Sequence, residues 1–177
     1  MNGPVVRPYT RRMSAFDASL PMPVGVDGAA VRDAESIAGR IGADELAADE
    51  ARQAYQAGGL PAIEPEAGAT AILQPGETLH AVRPSTMLEE TGSINGMGRP
   101  RGGTLYLTSQ RLIHAGVESI EVALAEIEEM AIALERLVLI RVRNGSDLAL
   151  EVDQPRLLRV QVAAAIGAGR ARETPKP

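Results

Sequence analysis

The sequence predicts a mainly β domain of seven short antiparallel strands closed by one C-terminal helix, behind an α-helical N-terminal extension. Three observations predict it. After Gly76 the apolar spacing changes from three-or-four to two, the period of a strand with one buried face. Two tight-turn signals, Ser109-Gln110 and Asn144-Gly145, each sit between alternating apolar runs. Past Asp153, the residues Leu158, Val162, Ala165 and Ile166 return to helical spacing and form one apolar face.

Taken in chain order, residues 1–28 are rich in Pro, Gly and small side chains and are expected to form a flexible leader. Residues 29–59 read as a helical extension in two segments. Val31, Ile37 and Ile41 form a partial stripe, and Asp44 is positioned to cap a second segment carrying Leu46, Ala47, Ala51 and Ala54. Few large apolar groups are present, so these helices need tertiary burial to persist. Residues 60–75 contain Pro61, Pro65 and Pro75 and read as a linker.

Residues 76–170 form the domain proper. "ETLHAVR" is the first expected strand, and a long Gly-rich connection over 84–103 follows it. "TLYLT" and "RLIHA" flank Ser109-Gln110, and counting outward from that turn pairs Leu107 with Leu112, Tyr106 with Ile113 and Leu105 with His114. "SIEVAL" then points Ile120, Val122 and Leu124 to one side. "IEEMAIA" and "LVLIRVR" follow, and Asn144-Gly145, both tolerant of positive φ, turns the chain into "DLALEV". Asp153 is expected to cap the closing helix, with Pro155 in its first turn and Gly167 at its end. Residues 171–177 are a basic tail.

"GETLHA" followed by "GTLYLTSQRLIHAG" resembles the GRAM and bacterial pleckstrin-homology-like family, through Gly76, Glu77, Leu105, Leu107, Thr108, Arg111, Leu112 and Ile113. The resemblance covers about residues 74–170. It departs at His114, where members commonly carry an aromatic residue. It implies a PH-like, partly open barrel of two orthogonal sheets plugged by the helix, and a first inter-strand loop that often faces lipid headgroups.

Composition narrows the function. The chain has 177 residues, a net charge of −5 and no cysteine. The negative balance argues against a general nucleic-acid binder, and the lack of thiols removes disulfides, thiol catalysis and thiolate metal sites. Seventeen Arg against one Lys, with abundant Ala and Gly, reads as a GC-rich, bacterial composition. No window approaches the roughly 18 apolar residues of a membrane span, and no secretory signal is recognisable, so a cytoplasmic protein is expected, with the inner membrane face as a peripheral alternative.

No catalytic set, cofactor motif or metal site emerges. Two histidines, His80 and His114, make a poor metal site alone. Glu126, Glu128 and Glu129 read as a solvated strand edge, and Ser109 lacks a nucleophile elbow. The expected function is therefore a non-catalytic binding module acting through a protein partner or self-association. Leu137 and Leu139 are the candidate interface residues, because "LVLIRVR" is apolar on both faces. The alternative is an anionic membrane surface, with Arg83, Arg99 and Arg101 holding a headgroup and Met87, Ile94 and Met97 entering the lipid.

Overall fold

The computed structural model describes residues 28–88 and 100–173. Helix α1 spans Gly28–Gly58 and a short α2 spans Ala67–Thr70. Seven strands follow: β1 Leu79–Leu88, β2 Arg101–Thr108, β3 Arg111–Ala115, β4 Ile120–Ala123, β5 Ile127–Ala133, β6 Leu137–Val142 and β7 Leu148–Val152. Helix α3, Pro155–Glu173, closes the domain.

The strands form one continuous antiparallel sheet in the order β4-β3-β2-β1-β7-β6-β5, where two sheets were expected. Strand β1 joins the halves: it pairs with β2 along its length and with β7 from Ser85 onward. Leu105, Leu107 and Leu112 from one half share a single core with Val138, Ile140, Leu150 and Val152 from the other, so the sheet curls around its own inner face. Leu158, Val162 and Ala165 of α3 enter that core. The partly open, helix-plugged arrangement thus follows from period-two burial on a strand set with two free edges.

The β2–β3 register is the one counted from the turn: Leu107 faces Leu112, Tyr106 faces Ile113 and Leu105 faces His114. Leu148, Leu150 and Val152 point inward as the alternation requires. Other boundaries move. β1 continues to Leu88 and β2 starts at Arg101, so most of what reads as the ends of the 84–103 loop is paired strand. β4 stops at Ala123, and Leu124 is buried from a 3-10 turn, Leu124–Glu126. α3 passes through Gly167 and runs to Glu173.

The N-terminal region departs further. α1 is one helix, and Asp44 sits mid-helix instead of starting a second one. Its buried carboxylate accepts the N–H of Arg156 (2.9 Å) and of Leu157 (3.0 Å), so it caps α3 across the interface. The first N–H groups of a helix have no intrahelical acceptor, and Asp44 supplies one. Ala48 and Ala51 then let α1 approach Val160 and Leu157 closely. Arg40 adds an ion pair with Glu135 in the β5–β6 turn. Asp153, the expected cap, pairs instead with Arg136 (3.1 Å). Asp44→Ala is expected to lower stability by about 2 kcal/mol, since the cap is lost and two N–H groups stay unsatisfied. Urea titration checks this, with Asp44→Asn expected to retain part of the difference.

Residues 60–75 are docked, in contrast to a free linker. The N–H of Ile63 donates to the Leu79 carbonyl (2.9 Å), Nδ1 of His80 donates to the Pro61 carbonyl (2.8 Å), and Ala69 is buried. Ile113, on the outward side of β3, is fully buried, and Gly68 lies against the Tyr106 hydroxyl beside it. This strap therefore covers part of the outer face of the β1–β4 half, and Val82, opposite Tyr106, stays exposed.

Candidate functional site

Two surfaces and two buried polar clusters could carry function. The first cluster forms around the residues that carry the family resemblance. Gly76 has φ 83°, a conformation that favours glycine, and delivers Glu77 to the turn of the β2–β3 hairpin. The Glu77 carboxylate, whose side chain is fully shielded, receives Nε and Nη2 of Arg111 at 2.8 and 2.6 Å. It also accepts the Thr108 hydroxyl (3.0 Å) and the Gln74 N–H (2.8 Å). Arg111 reaches Glu121 and the Ile72 carbonyl with its remaining donors. The Arg111 hydrogen bonds hold the Glu77 carboxyl down at about 2. This acid is locked ionised, with its lone pairs committed.

The second cluster is His114 with Ser85. His114 is 2% exposed, and neither its ring nitrogens nor the Ser85 hydroxyl has a hydrogen-bond partner among the described residues. Burial pushes the imidazole pKa down, favouring the neutral ring. The ring lies over Gly103, where a Cβ would approach it to 2.8 Å. Among the described residues, no group of three or more His, Asp or Glu is placed to hold a metal ion.

The first surface is a cleft of about 440 Å³ between β4 and the β6–β7 turn. Its floor is apolar, from Met87, Ile120, Val122 and Leu148, and Glu118, Glu121 and Glu126 stand around it. Arg101 enters from β2 and pairs with Glu118.

That geometry redistributes the expected lipid ligands. Arg83 faces inward and donates to the carbonyls of Asp153 and Gln154 (3.2 Å each) and to the Gln161 side chain (2.5 Å). Gln154 has φ 52° immediately before Pro155, so Arg83 pins a strained entry to α3. Its guanidinium is directed at protein, not at a headgroup. Met87 is 4% exposed and belongs to the core, which corrects its reading as a membrane contact. Arg99, Ile94 and Met97 lie outside the described residues. Arg101 remains at the cleft, among carboxylates that would repel an anion.

The second surface is the outer face of the other half-sheet. The register places Leu88, Ala149, Leu139 and Ala131 in one row across β1, β7, β6 and β5. Leu139 is 42% exposed and Leu137 is half-buried in the adjoining row, beside Ala133 and Glu151. Ion pairs border the patch, Arg141 with Glu129 (3.0 Å) and Arg136 with Glu151 (3.4 Å). No strap covers this half among the described residues. The sequence named both leucines; it missed the acidic cleft and the cross-helix role of Asp44, whose partners lie far away in the chain.

No protein-family model matches the chain, and no curated protein does. Among solved structures it is similar to the C-terminal domain of an unknown protein from Leishmania infantum, at 18% identity, 53% of this chain, 84% of that one and a TM-score of 0.39. It is also similar to the hSac2 domain of the human phosphoinositide phosphatase Sac2, at 11% identity, 60% of this chain, 79% of that one and a TM-score of 0.38. No described helix is long and apolar enough to cross a membrane.

Proposed function

We propose that the chain is a non-catalytic binding module of the PH-like or GRAM kind, an adaptor that works through protein contact and associates with a second copy of itself. The observation that carries this is the row Leu88, Ala149, Leu139 and Ala131, with Leu139 exposed, on the half-sheet that no strap covers among the described residues. Leu139 is a knob with an alanine on either side. Two such faces stacked about a two-fold axis seat each leucine over the other copy's alanine, which is the self-complementarity an isologous contact needs. The bordering ion pairs supply a polar rim. A single exposed leucine row is small beside a standard interface of roughly 800 Å² per partner, so the association is weak and concentration-dependent.

The titratable groups support the non-catalytic part of the reading. Glu77 is committed to Arg111, His80 to the Pro61 carbonyl, and His114 is enclosed in the sheet. Light scattering tests the association. The average mass should rise with concentration for the native chain, whereas Leu139→Asp should stay monomeric with its urea midpoint nearly unchanged. A native chain that remains monomeric at every concentration removes the proposal.

A further inference from the structure

We propose that the acidic cleft between β4 and the β6–β7 turn binds a segment of the same chain, the arginine-rich stretch "VVRPYTRRM" at residues 5–13. The charge balance of the cleft asks for a cation. Glu118 pairs with Arg101, but Glu121 shares Arg111 with the buried Glu77, and Glu126 has no ion-pair partner among the described residues. Among the described residues three carboxylates line the cleft, Arg101 is the one guanidinium in its lining, and Arg111 is shared with Glu77 outside it, so the charge is net negative beside an apolar floor that concentrates the field. The floor asks for apolar side chains as well, which excludes a simple cation as the best fit.

Residues 5–13 provide both. Arg7, Arg11 and Arg12 alternate with Val5, Val6, Tyr9 and Met13, and no acidic residue precedes Asp17. Among the described residues β4 pairs only with β3, so its other edge presents unladdered backbone to the cleft. An extended segment adds to such an edge through main-chain hydrogen bonds while alternate side chains enter the pocket. Pro8 is compatible with an added edge strand, where one side needs no donor. The stretch from residue 13 to α1 at Gly28 spans up to roughly 3.3 Å per residue when extended, about 50 Å in total, enough to cross a domain of this size.

The chain contains no cysteine, so Thr10→Cys introduces a single attachment site for a nitroxide spin label in the full-length protein. Paramagnetic broadening of backbone amides reads the position of the label. The expected result is strong broadening at Ile120, Glu121, Ser146 and Leu148, little at Ala163 and Ala164 on the α1–α3 side, and at least a twofold weakening in the Glu118→Gln/Glu126→Gln variant or at high salt. Broadening spread evenly over the surface, concentrated on the α1–α3 side, or unchanged by removal of the two carboxylates overturns the assignment. So does broadening carried wholly by an isotope-labelled, nitroxide-free copy in a mixed sample, which places the segment in a neighbouring molecule.

Discussion

Replacing Arg111 with leucine will lower the unfolding free energy by about 3–5 kcal/mol. The cost comes from what is left behind. Glu77 has no solvent-exposed side-chain surface, and two of its four hydrogen bonds come from the Arg111 guanidinium. Thr108 and the Gln74 N–H remain, but two neutral donors do not offset a buried negative charge. Urea titration at neutral pH measures the loss. Glu77→Leu on the Arg111→Leu background should recover much of it, because replacing both partners removes the orphaned charge. If the single and double variants are equally destabilised, the orphaned Glu77 charge is not the source of the loss.

The same pair fixes the direction of the acid response. In the native chain the folded-state pKa of Glu77, about 2, lies below the ordinary value of 4.5. Its contribution is therefore complete above about pH 4.5 and is lost as the pH falls towards 2, on the order of 3 kcal/mol in all. In Arg111→Leu the sign reverses. Burial without a cation raises the carboxyl pKa, so protonation relieves the variant and its deficit against the native chain narrows as the pH falls.

The strand set was legible because burial on one face repeats every second residue, and the β2–β3 register because a two-residue turn leaves no other way to count. The run of "RPSTML" hid the second half of β1. Pro84 argues against a strand, but here it stands where β2 alone flanks the chain, since β7 begins to pair at Ser85. A missing N–H is tolerated on such an unpaired side. Met87 changed meaning for the same reason: once β1 extends to Leu88, alternation turns it inward. Arg83 already closed the expected strand, and its partners at the entry to α3 lie some seventy residues on in the chain. Asp44 was misread because a helical acid has no local sign of its partner. Its acceptor role is set by backbone groups at Arg156 and Leu157, more than a hundred residues later. The resemblance placed Glu77 and Arg111 in one pattern, yet only the fold shows them in contact. The exposed Leu139 was legible because "LVLIRVR" has more apolar residues than one face can bury.

Gly103→Ala is expected to be the most damaging single methyl addition in the domain. A Cβ at residue 103 would stand 2.4 Å from the Ala115 carbonyl oxygen and 2.8 Å from Cε1 and Nε2 of His114. The carbonyl belongs to β3, at the point where Ala115 pairs with Thr104, so it retreats only by opening the end of that ladder. The imidazole is buried, so it can yield only by displacing its neighbours. Overpacking of this kind costs about 1–3 kcal/mol, and a backbone contact at 2.4 Å beside a buried ring places this site at the upper end. His114→Ala on the Gly103→Ala background should relieve the ring contact and leave the carbonyl contact, so recovery will be partial. Full recovery would mean that the ring alone sets the requirement for glycine. His114 also adds a pH signature that separates it from Glu77. Its folded-state pKa is depressed by burial below 6.5, so the neutral ring stabilises the fold above that pH, and stability declines as the pH drops below it. Urea midpoints between pH 7 and 5 should fall in the native chain and stay flatter in His114→Leu, whose buried side chain has no proton to take up.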